Sequence, residues 1–246
     1  MALREEFRKH GNLLFRFRSY LPLLFFPIII MALSSLKYPG NEHWKDQIWE
    51  MVCLAISFLG LGIRIFTIGR VPEGTSGRNT GRQIADVLNT SGIYSVVRHP
   101  LYLGNFFMWL GIIMFIHSWW LTITFMLAYW LYYERIMYAE EEFLRDKFGD
   151  SYLQWANKTP AFWPNLSNWQ APNLPFSWRT ILKREYHGLF GIIFTFTILE
   201  VAGDYIVSGR FELDPLWVGL FTVNLLIYLV LRFLAKKTTI LQDQGR

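Results

Sequence analysis

Six apolar runs constrain this chain more than any other feature: roughly 20–36, 48–69, 101–117, 119–138, 189–208 and 215–234. A helix needs about 20 apolar residues to cross a bilayer core. One such run can be a buried helix of a soluble protein, but six in 246 residues exceed what one soluble core can cover. Composition agrees, with 52% hydrophobic and 18% aromatic residues and a mean hydropathy of +0.23. The expected fold is all-α: a polytopic integral membrane protein of about six transmembrane helices, forming a single membrane domain over 1–246.

Lysine and arginine supply an independent signal. With six spans, one side of the membrane holds 1–19, 70–98, 139–188 and 235–246. Together with Arg135 and Arg232 at helix ends, that side carries 20 of the 24 basic residues. The other side carries Lys37, Lys45 and Arg210, and Arg64 lies within the second run. The positive-inside rule then places both termini in the cytoplasm. The net charge of +5 is thus read as topology, and no nucleic-acid partner is expected. The N-terminal residues lack the apolar core and cleavage site of a secretory signal, and Asn12–Arg18 reads as a basic amphipathic lead-in at the membrane surface. Cys53, the one cysteine, excludes an intrachain disulfide framework and a Cys-rich metal site; no metal is expected. The stretch 159–178, with four prolines and three tryptophans, reads as an irregular loop along the headgroup layer.

Two polar constellations fall on the cytoplasmic side. The first is Arg98-His99-Pro100, followed by Tyr102 and Gly104. Proline suits the first turn of a helix, and the free N–H groups there favour an anion. Arg98 adds a fixed charge, His99 a tunable one, and Gly104 permits close approach to the helix. The second is Glu134–Trp155, which continues the fourth run into the cytoplasm. Glu134, Tyr138 and Glu141 share a helix face, with Glu140 turned about 100° from Glu141. Anion-binding groups at 98–104 and cation-binding groups at 140–142 suit a zwitterionic or cationic cofactor. S-adenosylmethionine is one; a nucleotide or a lipid headgroup also answers this description.

The ordered set Gly92, Tyr94, Arg98, His99, Pro100, Tyr102, Gly104, Glu140, Glu141, Leu144, Phe148, Gly149, Tyr152 and Pro160 resembles the isoprenylcysteine carboxyl methyltransferase family, whose wider group includes phospholipid methyltransferases. The likeness covers about 92–165. It implies S-adenosylmethionine held between the 92–104 segment and the glutamate pair, with a methyl acceptor entering from the lipid. Carried over residue by residue, Gly92, Tyr94, His99, Leu101, Tyr102, Gly104, Glu140 and Glu141 are the candidate cofactor-binding residues. Arg98, His99, Glu140 and Glu141 are the candidate catalytic residues. The chain departs from the family in an additional C-terminal helical hairpin at 189–234, and in Trp155 and "AFWP" where many members have a tyrosine and another proline-containing ending.

The acceptor is read from the remaining cations. Gly-rich "EGTSGRNTGRQ", 73–83, offers backbone N–H groups with Arg78 and Arg82, chemistry suited to a phosphate or carboxylate. Arg64 lies near the cytoplasmic end of the second run. With Arg98, Arg135 and Tyr138 these form the candidate substrate-binding set. The expected reaction is methyl transfer to a membrane lipid or lipidated molecule, favoured as O-methylation of an anionic group. Amine N-methylation, an NADPH-dependent sterol or enone reductase, and a non-enzymatic lipid-binding scaffold are the alternatives. Glu200 and Asp204 share a face of the fifth run, with Asp204 expected near the far surface, within reach of Arg210.

Overall fold

The structure, a computed structural model, describes residues 2–18, 20–34, 36, 43–72, 74–75, 83–211, 213–243 and 245. Among these residues it is all-helical: α1 (Leu3–Phe17), α2 (Leu21–Leu33), α3 (His43–Ile68), α4 (Pro100–Met114), α5 (Trp119–Phe148), α6 (Asp150–Ala156), α7 (Trp178–Ser208) and α8 (Pro215–Lys237). Short 3-10 turns lie at Ile93–Ser95 and Leu166–Asn168. Each apolar run falls in a helix. Among the described residues, three helices are long and apolar enough to cross a membrane: α3 from Trp44, α7 and α8. At 1.5 Å per residue, α4 spans only about 22 Å. It is apolar but shorter than a bilayer core. Helix α5 runs unbroken from its apolar half into the charged stretch 139–148.

Three packing relations position the site. Helices α3 and α4 cross where Gly60 meets Gly104: a Cβ at Gly60 would collide with the Gly104 carbonyl oxygen, and one at Gly104 would sit 2.6 Å from Arg64 Cγ. Only glycine lets these backbones approach so closely. Gly104, read from sequence as a cofactor contact, thus serves helix crossing. Helix α1 lies along α5, with Gly11 against the Arg135 carbonyl and Ala139. Arg4 donates to the buried Glu142 at 2.6 and 3.0 Å, and Arg8 to Asp146 at 2.6 Å. The expected lead-in at 12–18 is therefore the end of a longer helix, drawn onto α5 by charge pairs 138 residues apart. Helix α7 begins at Trp178, eleven residues before the apolar run, because its first turns are polar and are capped by Ser177, whose hydroxyl accepts from the Thr180 amide at 3.2 Å.

The apolar faces of α8 point outward: Val223, Leu226, Val230 and Phe233 are exposed. So large an unpaired apolar surface suits lipid contact. Inside, Phe196 stacks on Trp217 and Phe115 meets both rings edge to face at the end of α4 remote from His99. Near them Glu200 is buried beside Glu50, whose carboxylate accepts from the Trp217 indole at 3.2 Å.

Candidate functional site

The loop before α4 is fastened to the loop after α6. Gly92 takes φ +60°, a left-handed conformation that a Cβ would disfavour, and its N–H donates to the Gln170 carbonyl at 3.0 Å. The Arg98 and His99 amides donate to the Pro160 and Ala161 carbonyls at 2.9 and 3.1 Å. Trp155 Nε1 donates to the Tyr94 carbonyl at 2.9 Å. The "AFWP" stretch thus holds the Arg-His-Pro turn by its backbone, a role that does not need the family's usual residues there.

Pro100 occupies the first turn of α4, with His99 as its N-cap. Among the described residues the Leu101 and Tyr102 amides have no backbone acceptor, as expected at a helix start. Facing this turn, α5 presents Glu140 and Glu141. Glu141 accepts from Arg98 Nε at 2.9 Å and Nη2 at 3.3 Å, and lies 3.0 Å from His99 Nε2. Glu140 lies 3.6 Å from His99 Nδ1 and accepts from the Tyr102 hydroxyl at 2.7 Å. The imidazole thereby spans the roughly 100° between the two glutamates on their helix. Arg98 also donates to the Ala156 and Thr159 carbonyls at 2.6 and 2.9 Å. Four of its bonds go to protein acceptors, so it orients Glu141 more than it offers itself to a ligand.

Charge state follows from these contacts. Burial opposes the imidazolium of His99, but the bonds and charges of Glu140 and Glu141 outweigh it and hold its pKa above the ordinary value. Burial likewise opposes ionised Glu141, yet His99 and Arg98 keep its pKa below the ordinary carboxylate value. Burial and the neighbouring Glu141 carboxylate raise the pKa of the fully buried Tyr152 hydroxyl.

These groups line one side of a cavity of about 500 Å³, a size typical of small-molecule sites. Arg64, Asn105 and Glu185 line it as well. Phe25, Trp109, Ile113 and Phe125 extend it as an apolar wall towards the remote end of α4. Of the residues singled out from sequence, the cavity is lined by Arg64, Tyr94, Arg98, His99, Leu101, Tyr102, Glu140 and Glu141. Gly92 and Gly104 shape the walls from behind. Arg135 and Tyr138 pack on Phe7 of α1, the guanidinium 4.6 Å from that ring, and do not line the cavity. Arg78 and Arg82 lie outside the described residues. Arg18, Asn105 and Glu185 also line the cavity and are not among the site residues expected from sequence: Arg18 stands 3.8 Å from Glu140, while Glu185 pairs with Arg64 across 121 residues. No local spacing rule reports pairings of that range. Among the described residues no cluster of three or more His, Cys, Asp or Glu could hold a metal ion.

Comparison with known proteins points the same way. The phospholipid methyltransferase family model matches residues 48–151. A cobalt-zinc-cadmium resistance protein, CzcN, of Cupriavidus metallidurans is 34% identical over 57% of this chain and 62% of its own length. The protein-S-isoprenylcysteine O-methyltransferase of Schizosaccharomyces pombe is 37% identical over 44% of this chain and 47% of its own. An Arabidopsis thaliana protein-S-isoprenylcysteine O-methyltransferase, form B, is 29% identical over 54% of this chain and 71% of its own. The chain spans less than two thirds of the length of the first two relatives. No solved structure matches.

Proposed function

We infer that this chain, whose 48–151 segment matches the phospholipid methyltransferase family model and which is similar to protein-S-isoprenylcysteine O-methyltransferases, is itself an S-adenosylmethionine-dependent methyltransferase. Its acceptor is a membrane lipid or lipidated molecule, methylated on an anionic oxygen of a phosphate or carboxylate. The observation that carries this reading is one cavity with two characters: a charged end at His99, Glu140 and Glu141, and an apolar wall at Phe25, Trp109, Ile113 and Phe125. A water-borne donor suits the first and an acyl or prenyl chain the second. The chain is read as crossing the membrane six times, with both termini and the charged end on the cytoplasmic side.

The residues fit the cofactor. Glu140 suits its ammonium group. The Leu101 and Tyr102 amides suit its carboxylate. When bound, the cofactor would supply an electrophilic methyl group on its sulfonium to the acceptor oxygen. A carboxylate or phosphate oxygen needs no general base. The protein's work is then orientation and exclusion of water. His99, its pKa raised between two carboxylates, keeps Glu140 and Glu141 in place, and Arg98 ties Glu141 to the 156–159 carbonyls. N-methylation of a phospholipid amine is the second reading, favoured by the family matched over 48–151. An amine must lose a proton, which Glu140, Glu141 or His99 would take.

Purified protein in detergent, titrated calorimetrically with S-adenosylmethionine and separately with NADPH, tests the reading. Saturable binding of the first alone is expected. Binding of NADPH alone would point to a reductase, and binding of neither to a scaffold. Lipid mass spectrometry with and without the gene, searched for a gain of 14 Da (one CH2), then identifies the acceptor.

A further inference from the structure

We propose that Arg64, Asn105 and Glu185 form the subsite that receives the acceptor's oxyanion, which makes α7 a specificity-determining part of the site; this rests on the methyltransferase reading above. Arg64 comes from α3, Asn105 from α4 and Glu185 from α7, and all three line the cavity. Glu185 grips one edge of the guanidinium, accepting from Nε at 2.8 Å and Nη2 at 2.7 Å. The Asn105 side-chain oxygen accepts from Nη1 at 2.7 Å. A guanidinium has five N–H donors. Three are used here, and two remain among the described residues. Arg64 keeps 16% of its side-chain exposure while Glu185 keeps 4%. What is left open is therefore the arginine, on the cavity side.

The choice of partners matters. Buried ion pairs contribute little net stability compared with apolar residues of equal volume. They do fix the orientation of a planar fork, which suits bidentate contact with a carboxylate or phosphate. At position 105 a neutral amide orients Nη1 without adding a second negative charge. Glu185 already balances Arg64, so an aspartate there would leave the cluster net negative and repel an incoming oxyanion. Glu185 lies outside the segment 48–151 that matches the family, so this subsite joins the shared core to the additional hairpin.

The nearly isosteric Asn105→Asp separates this role from a structural clamp. In a structural clamp Arg64 holds either side chain; in an oxyanion subsite the added charge repels the ligand. The full-length protein in detergent is titrated calorimetrically with S-adenosylmethionine and with two anionic probes, N-acetyl-S-farnesylcysteine and phosphatidic acid in mixed micelles. Diacylglycerol serves as the neutral control. The expected result is wild-type binding of at least one anionic probe, weakened tenfold or more by Asn105→Asp. Cofactor affinity stays within twofold and the unfolding temperature does not fall. The probe that binds tells a carboxylate from a phosphate head. Arg64→Lys, which keeps the charge but loses the fork, should weaken the same probe with methyl-transfer KM rising and kcat within threefold. Glu185→Gln should shift KM in the same direction by a smaller factor. Intact cofactor binding with no affinity for either anionic probe, or with affinity indifferent to Asn105→Asp, overturns the subsite alone. Absence of cofactor binding in the wild type overturns the methyltransferase reading itself.

Discussion

Replacing Glu141 with glutamine removes one charge and almost no volume, so its effect isolates the electrostatics of the site. The carboxylate accepts two bonds from Arg98 and lies within bonding distance of His99. The three side chains are 20%, 17% and 6% exposed, so water screens them only partly. Breaking a buried ion pair from one side costs about 3–5 kcal/mol. The amide oxygen keeps one acceptor, worth about 1 kcal/mol. The net loss is about 3 kcal/mol, or about 6–12 °C of unfolding temperature for a chain of this length. His99 should respond as well: with one of its two carboxylates gone, burial weighs more and its pKa falls. Scanning fluorimetry in detergent measures the first effect. Proton-carbon NMR of the imidazoles, assigned by His99→Gln, measures the second. An unfolding temperature within about 2 °C of wild type, together with an unmoved His99 titration, would refute the reasoning.

The same pair sets a pH dependence. The raised pKa of His99 means that its stabilising contribution is fully present below the ordinary 6.5 and is lost as pH rises through the folded value. The lowered pKa of Glu141 means that its contribution is present above 4.5 and is lost as pH falls through the folded value. Unfolding temperature should therefore be highest between these limits and decline on the alkaline side. His99→Gln should flatten that alkaline limb, and an unchanged limb contradicts the assignment. At the α3–α4 crossing, Gly60→Ala places a methyl 2.5 Å from the Met108 amide nitrogen and should cost about 1–3 kcal/mol in thermal unfolding. Gly62→Ala, with nothing within 4 Å of its new methyl, is the control and should be neutral or stabilising by up to about 1 kcal/mol. Trp155→Phe deletes the donor to the Tyr94 carbonyl and should cost about 1 kcal/mol, read by the same melt.

What could be read from sequence followed the range of the interaction. Hydrophobic runs report helices because the signal is local. The proline at the start of α4 and the glycine at 92 report backbone geometry for the same reason. The limits of α1 and α7 were missed because each helix extends into a polar stretch whose partners lie elsewhere. Arg4 and Arg8 look like exposed charge until Glu142 and Asp146 are brought beside them. The first turns of α7 read as loop because a hydropathy window discounts Arg179, Lys183, Arg184 and Glu185.

Helical phase misled at Arg135 and Tyr138. It placed Tyr138 on the face of Glu141, but α1 covers that part of α5 through Phe7 and Gly11. Periodicity says which residues share a face and leaves open what covers it. The cavity illustrates the same limit. Its charged end is assembled from a motif whose two halves, 98–102 and 140–141, lie some 40 residues apart and meet because α4 and α5 form a hairpin. A second polar cluster in its lining joins residues 64, 105 and 185 from three helices, one of them outside the matched segment. On the proposed reading, a short motif carries the donor's half of the site, while the half facing the acceptor is built from long-range pairs. That division explains why sequence pointed to a methyl donor more directly than to the group that receives it.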